Sequence, residues 1–275
     1  MEIVKDLSAD NIFGSNAKLL QKYILENYDF NEWGIHVKYY HTFAVAKACY
    51  LLAEKLGLDK DLAYNIGLLH DYARFEQWKL FKSFVDYKTI DHGDEAVVLL
   101  FEQNEIKQFD IPKSDYNIIA LAIKLHNKAI IDKDYIIKEM ERTNEQKYTF
   151  DEILEYCKLI RDCDKMDIFN QIGRGEIDVN FTDDGYSEVV YQAMKNHTFA
   201  HTKEIKTKLD RLFALVGFLY DMNFTESLKM LDLDAFFVGI DQHYAKLLNE
   251  QDKATLNLVI KTYVKPYIEE KIKSA

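Results

Sequence analysis

Proline is nearly absent from this chain. Pro112 and Pro266 are the only two in 275 residues, and glycine occurs ten times. Such a shortage of turn-forming residues excludes an all-β fold and suits a mostly helical one. Cysteine is also scarce: Cys49, Cys157 and Cys163 are odd in number and lack CxxC spacing. They read as reduced thiols, not as a disulfide framework. No run approaches the roughly 20 apolar residues that a membrane span requires. Met1–Ser8 carries no continuous apolar signal region, so a soluble, cytoplasmic protein without a membrane association is expected. An excess of basic charge is missing too. The formal net charge is −11, which excludes a general nucleic-acid binder, since phosphate backbones call for a basic surface. A local basic pocket is compatible with it.

What the chain does contain is apolar residues at helical spacing. The spacing predicts helices over about 17–28 and 37–56, the second ended by Gly57, with a break around Asn31–Gly34. Asp59 caps the next helix, whose apolar run Leu62–Leu69 leads into His70-Asp71. A polar, aromatic connection follows, from Arg74 to Tyr87, and is expected to fold over something. The next helix opens near Asp91-His92, with Asp91 as its N-cap, and another covers about 115–125 and delivers His126. Residues 132–146 read as a solvated loop with some helix. A strong helix spans about 150–172 and carries Arg161-Asp162-Cys163-Asp164-Lys165-Met166-Asp167, whose acids interrupt an apolar stripe. Acids in that position need a partner. Beyond Gly173 the pattern softens into a loop, with a hairpin expected around Ile177–Phe181. Helices resume near Ser187, from about 203 to 220, 225 to 231, 235 to 248 and 254 to 271, where Pro266 should kink or end the last one. No repeat or linker divides the chain. The reading is one all-α domain over 1–275, with a core at 37–172 and a helical extension at 173–275.

One His-Asp pair is most simply a polar helix end. The company it keeps changes that. His41, His70-Asp71, His92, His126 and Asp164 each sit at the end of, or inside, a strongly apolar helix. Four imidazoles and two carboxylates suit one or two divalent ions, with Mn, Fe, Ni, Co, Zn or Mg as candidates. One carboxylate can bridge two ions, and a hydroxide between them is a nucleophile near neutral pH for phosphoryl transfer. Arg74, and less strongly Lys128 and Lys165, could neutralise phosphate charge there. Gln77 would lie beside Arg74 if the helix continues. His197 and His201, spaced i, i+4, lack the Glu of an HExxH motif and make a poor second zinc site. The many Tyr and Phe residues read as core, not as base-stacking platforms.

The segment Lys38-Tyr39-Tyr40-His41-Thr42-Phe43-Ala44-Val45-Ala46 resembles the basic-x-x-His-(Ser/Thr)-x-x-Val-Ala opening of the HD-domain superfamily of metal-dependent phosphohydrolases. Leu68–Phe75 resembles its "LLHDIGRF" motif, and Arg161–Asp167 its "RDADKLD" motif. His92 and His126 match the additional histidines of members that hold two metals. The resemblance covers about 37–172. It implies an HD-domain helical bundle in which Asp71 bridges two ions, His41, His70 and Asp164 hold one, and His92 with His126 complete the other. Asp162 rivals Asp164, which is preferred because Lys165 follows it. Tyr72-Ala73 stands where the family has Ile-Gly, and Lys38 where Arg is common; neither change is expected to touch a ligand. The implied activity is hydrolysis of a phosphate mono- or diester, with a nucleotide or another small phosphorylated metabolite as substrate. Proteins of this fold resembling myo-inositol oxygenase, with a di-iron centre, supply an alternative. A sensor module that retains the metal without turnover is a third reading.

Overall fold

The computed structural model describes residues 13–145 and 147–274, and among these the chain is helical with no strand. Met1–Ser8 and Gln146 lie outside the described residues. The chain separates into two compact units that divide between Asp164 and Lys165. That division falls inside one long helix, where no glycine, proline or turn signal marks it.

The N-terminal unit holds α1 (Ser15–Asn27), α2 (Trp33–Leu56), α3 (Lys60–Leu69), α4 (Tyr72–Phe81), α5 (His92–Val97), α6 (Tyr116–His126), α7 (Lys133–Thr143) and the first part of α8 (Phe150–Arg174). Helix α2 is its axis. Six consecutive residues, His41 to Ala46, are buried, so over this stretch the helix faces protein on every side. It packs most extensively on α3, and α3 in turn meets α6. The approach is close because Gly67 has no side chain: a Cβ there would stand 2.8 Å from both the Ala46 Cα and the Cys49 Sγ.

Local chemistry sets the ends of these helices. Gly57 closes α2 in the left-handed conformation at φ 70°, as expected, and the Asp59 carboxylate caps α3 by accepting from the Asp61 and Leu62 amides. Helix α2 begins at Trp33, earlier than the sequence spacing predicts. Gly34 does not break it; a Cβ on Gly34 would run into the Trp78 indole, so the glycine serves a close contact. The helix expected within the solvated stretch 132–146 is α7, which takes up most of it and is capped by Asp132.

The C-terminal unit holds the rest of α8, then α9 (Glu188–Lys195), α10 (Lys208–Gly217), α11 (Thr225–Met230), α12 (Leu233–Gly239), α13 (Glu250–Val259) and α14 (Lys265–Lys273). The hairpin expected around Ile177–Phe181 is absent; that stretch is an irregular loop. Buried Asp210 organises the loop, accepting from the Ser187 amide at 2.7 Å, the Ser187 hydroxyl at 2.6 Å and the Lys206 amide at 3.0 Å. Pro266 does not end the last helix. A π turn over Ile260–Val264 precedes it, and Pro266 falls in the first turn of α14, where a missing N–H costs little. His197 adopts φ 54° beyond the end of α9, so His197 and His201 do not share a helix face. No described helix is long and apolar enough to cross a membrane.

Candidate metal centre

Five elements of the N-terminal unit deliver six side chains. His41 comes from the middle of α2. His70 and Asp71 form the elbow between α3 and α4, where Asp71 leaves helical geometry at φ −103°, ψ 21°. His92 opens α5, held there by the Asp91 carboxylate, which caps the Gly93 and Asp94 amides. His126 ends α6, and Asp164 projects from α8. Arg161, also on α8, donates to the carbonyls of His126 and Lys128 and so fixes the C-terminus of α6. The four histidines and Asp71 are all buried, while the Asp164 side chain keeps a quarter of its surface open.

Asp71 lies at the middle. Its Oδ2 is 3.3 Å from His41 Nε2 and 3.5 Å from His70 Nε2; its Oδ1 is 3.4 Å from His92 Nε2 and 3.9 Å from His126 Nε2. The carboxylate therefore belongs to two groups, His41–His70–Asp71 and Asp71–His92–His126, in each of which the donor atoms all lie within 4.8 Å of one another. Asp164 Oδ1 stands against the first group, 3.1 Å from His41 Nε2 and 3.8 Å from His70 Nε2.

Proton positions follow from the partners on the far side of each ring. His70 Nδ1 is 2.7 Å from the Gly67 carbonyl, and His126 Nδ1 is 2.5 Å from the Ile123 carbonyl. A carbonyl only accepts, so both Nδ1 atoms carry hydrogen and both Nε2 atoms present lone pairs inward. His92 Nδ1 faces an Asp86 carboxylate oxygen at 2.7 Å, with the same consequence. The His92 and His126 Nε2 lone pairs then face each other at 2.9 Å, and the fully buried His70 Nε2 has no hydrogen-bond partner. Inward lone pairs from neutral imidazoles around ionised carboxylates are a donor set that fits divalent cations.

Burial pushes His70, His92 and His126 down to about 4, which keeps the rings neutral at physiological pH. Burial opposes ionisation of Asp71 and Asp164 as well. It is overcome at Asp71 chiefly by the charge of Lys38, and at Asp164 by the adjacent His41 ring, so both carboxyls stay below their usual range. The sign of the pH effect on the metal-stripped protein follows. In the unfolded chain histidine takes its proton near pH 6.5, before the buried folded-state rings do near 4. Stability is therefore full above pH 6.5 and falls between 6.5 and 4, by up to about 1.4 kcal/mol per pH unit for each ring. Asp71 and Asp164 add a further loss below about pH 3.9, where unfolded carboxylates protonate. Denaturant titrations of EDTA-treated protein at pH 7.5 and 5.0 check this. Equal midpoints would show that these rings are not held neutral.

Around the centre lies a layer of charge. Lys38 Nζ is 2.6 Å from Asp71 Oδ2, which corrects the expectation that its replacement of Arg touches no ligand. Arg74 Nε lies 3.5 Å from Asp71 Oδ1, while its Nη1 donates to Gln77 at 2.6 Å, the Phe84 carbonyl at 2.9 Å and Asp86 at 2.7 Å. Gln77 is thus beside Arg74, as the helical spacing predicts. Lys165 Nζ pairs with Asp221 at 2.9 Å within the C-terminal unit, and Lys128 pairs with Asp91 and Asp94. Asp162 is fully buried and takes no part in these donor groups.

Asp86 is the residue that sequence reasoning missed. It lies in a short 3₁₀ turn, Asp86–Lys88, in the connection after α4, where no periodicity marks it. Asp86, Asp91 and His92 also offer three donor atoms within 4.8 Å. Those oxygens already accept from N–H groups and Lys128, so this trio reads as a hydrogen-bond network.

The class these features define is an all-helical protein with a histidine–aspartate centre able to hold divalent metal. The family model of the HD domain matches residues 39–168, and the chain carries an HD domain. All six residues of the cluster fall within the match. HD domains are generally metal-dependent phosphohydrolases. No curated protein and no solved structure matches the chain.

Proposed function

We propose that this chain is a metal-dependent hydrolase of small phosphate esters, nucleotides among them, and that two divalent ions are held by the six residues of the cluster. The observation that carries the reading is the division of Asp71, one oxygen toward His41 and His70 and the other toward His92 and His126. A carboxylate so divided is what a bridging ligand requires. Asp164 completes the first group, and His92 with His126 the second. When bound, such ions would neutralise charge on a phosphoryl group and acidify water.

The chain's own residues supply the rest. The tethers to Gly67, Ile123 and Asp86 hold the imidazole rings in one orientation, so no reorganisation is needed as charge develops. The hydrogen bonds of Arg74 all run through Nη1, and its buried Nε faces Asp71 Oδ1 at 3.5 Å. Its Nη2 makes no hydrogen bond, which leaves that donor for a phosphoryl oxygen. Lys38 stands on the other Asp71 oxygen and adds a second cation within reach of the same anion. Lys165 has no role in this proposal, because its ammonium is engaged by Asp221.

The test combines binding with turnover. Calorimetric titration of EDTA-stripped protein with Mn²⁺ should reach two equivalents. Phosphate or phenolate release from a panel of nucleoside monophosphates, p-nitrophenyl phosphate and its bis ester should require the metal. Arg74→Met should raise KM about 10- to 100-fold on the best substrate, the worth of roughly one charged hydrogen bond. Stoichiometric iron with oxygen consumption on a polyol, and no phosphate release from any ester, would replace this reading with the oxygenase. Tight ligand binding without any turnover would leave a sensor.

A further inference from the structure

We infer that Asp86 is a positioning residue that locks His92 into its metal-binding tautomer and ties the phosphate-facing Arg74 to the same anchor. The inference rests on the two-ion reading for its consequence, but its first readout does not. The Asp86 oxygens divide their work. Oδ1 accepts from Arg74 Nη1 at 2.7 Å and Gln77 Nε2 at 3.1 Å; Oδ2 accepts from His92 Nδ1 at 2.7 Å and Asn127 Nδ2 at 3.3 Å.

The decisive neighbour is Asn127. Its Nδ2, which also donates to Asp91 Oδ1 at 2.9 Å, lies 3.3 Å from His92 Nδ1. With Asp86 present, Nδ1 must donate, because a carboxylate can only accept. With Asp86 removed, the one polar group left beside Nδ1 is an N–H donor, and the favourable partner for a donor is an Nδ1 lone pair. The proton then belongs on Nε2, 2.9 Å from His126 Nε2, where it makes a hydrogen bond between the two rings. That arrangement satisfies both nitrogens and leaves neither free for a cation. One carboxylate, placed on the outer edge of the ring, thus decides whether the inner edge presents a lone pair. His70 and His126 use backbone carbonyls for the same purpose, which no side-chain substitution removes. His92 is the ring among these three whose tautomer rests on a side chain.

The substitution is Asp86→Ala, at a side chain 28% exposed in a short turn, with Asp86→Glu as the conservative partner. The first readout is the ¹⁵N shift pattern of His92 in EDTA-treated protein. Wild type and Asp86→Glu should show the Nδ1–H tautomer, and Asp86→Ala the Nε2–H tautomer. The second is Mn²⁺ titration. Asp86→Ala should keep the first equivalent and bind the second about 10- to 100-fold more weakly, the usual effect of removing a partner behind a ligand, with recovery in Asp86→Glu. A merely structural role would lower the melting temperature without moving the tautomer. An unchanged His92 pattern in Asp86→Ala overturns the inference, as does a second Mn²⁺ bound within threefold of wild type, or no second equivalent in wild type. Absence of phosphate release from every ester would count against the hydrolase alone, since neither readout depends on turnover.

Discussion

Asp71→Asn is expected to abolish metal-dependent turnover while leaving the helices in place. The amide has the shape of the carboxylate but neither its charge nor its second acceptor. Its NH₂ must face one of the two histidine groups. On the Oδ2 side it would donate to His41 or His70 Nε2, now 3.3 and 3.5 Å away; on the Oδ1 side it would donate to His92, 3.4 Å away. Either way one set of inward lone pairs is consumed by a hydrogen bond, and the other set loses the anion that would neutralise a bound cation. The Mn²⁺ stoichiometry should therefore fall from two to at most one. The rate on the best phosphoester should drop by on the order of 10³ or more, equivalent to about 4 kcal/mol of lost transition-state stabilisation. Arg74 keeps Asp86, and Lys38 retains a path to solvent, so the fold should survive. Far-ultraviolet circular dichroism separates loss of the site from loss of the fold. A variant retaining Mn²⁺-dependent release within tenfold of wild type would remove Asp71, and with it the whole cluster, from the reaction.

Four members of this cluster stand out in the sequence because they break a local pattern, while His41 and His92 gain weight only from the company of the others and from the family resemblance. His70-Asp71 ends an apolar run, His126 ends another, and Asp164 interrupts the buried stripe of α8, so each polar residue stands where a hydrophobic one is expected. Gly57 and Asp59 are legible for a similar reason, as helix ends have their own residue chemistry. What surrounds the cluster breaks no pattern. Asp86 is one acid in a polar connection, and only the fold of residues 82–91 brings it against His92 and Arg74. Lys38 is legible as the basic residue of the opening motif but not as a partner of a ligand; it lies three residues before His41 on α2 and so on the same helix face, which brings its ammonium to Asp71. The π turn ahead of Pro266 was equally out of reach, since proline reports that a regular helix must yield but not how it does so.

Gly67→Ala is expected to destabilise the protein, against the usual sign for this substitution in a helix. Replacing glycine by alanine inside a helix ordinarily gains about 1 kcal/mol from backbone entropy and propensity. At Gly67 the new Cβ would meet the Ala46 Cα and the Cys49 Sγ at 2.8 Å and the Val45 carbonyl oxygen at 3.1 Å. Two of these three are backbone atoms of α2, which cannot rotate aside, so α2 and α3 must separate. Overpacking of this kind costs about 1–3 kcal/mol and more where backbone must move, which outweighs the propensity gain; Gly67→Val adds two further methyl groups and should be worse. The consequence reaches the centre by two routes. Helix α2 carries His41 and α3 leads into His70, so separation widens the first donor group, and the Gly67 carbonyl is itself the acceptor that orients His70 Nδ1. Mn²⁺ affinity at the first equivalent should thus fall together with the denaturant midpoint, even where the variant is fully folded. A higher midpoint for Gly67→Ala than for wild type would mean that the two helices have room to spare, and that the spacing of His41 and His70 does not depend on this glycine.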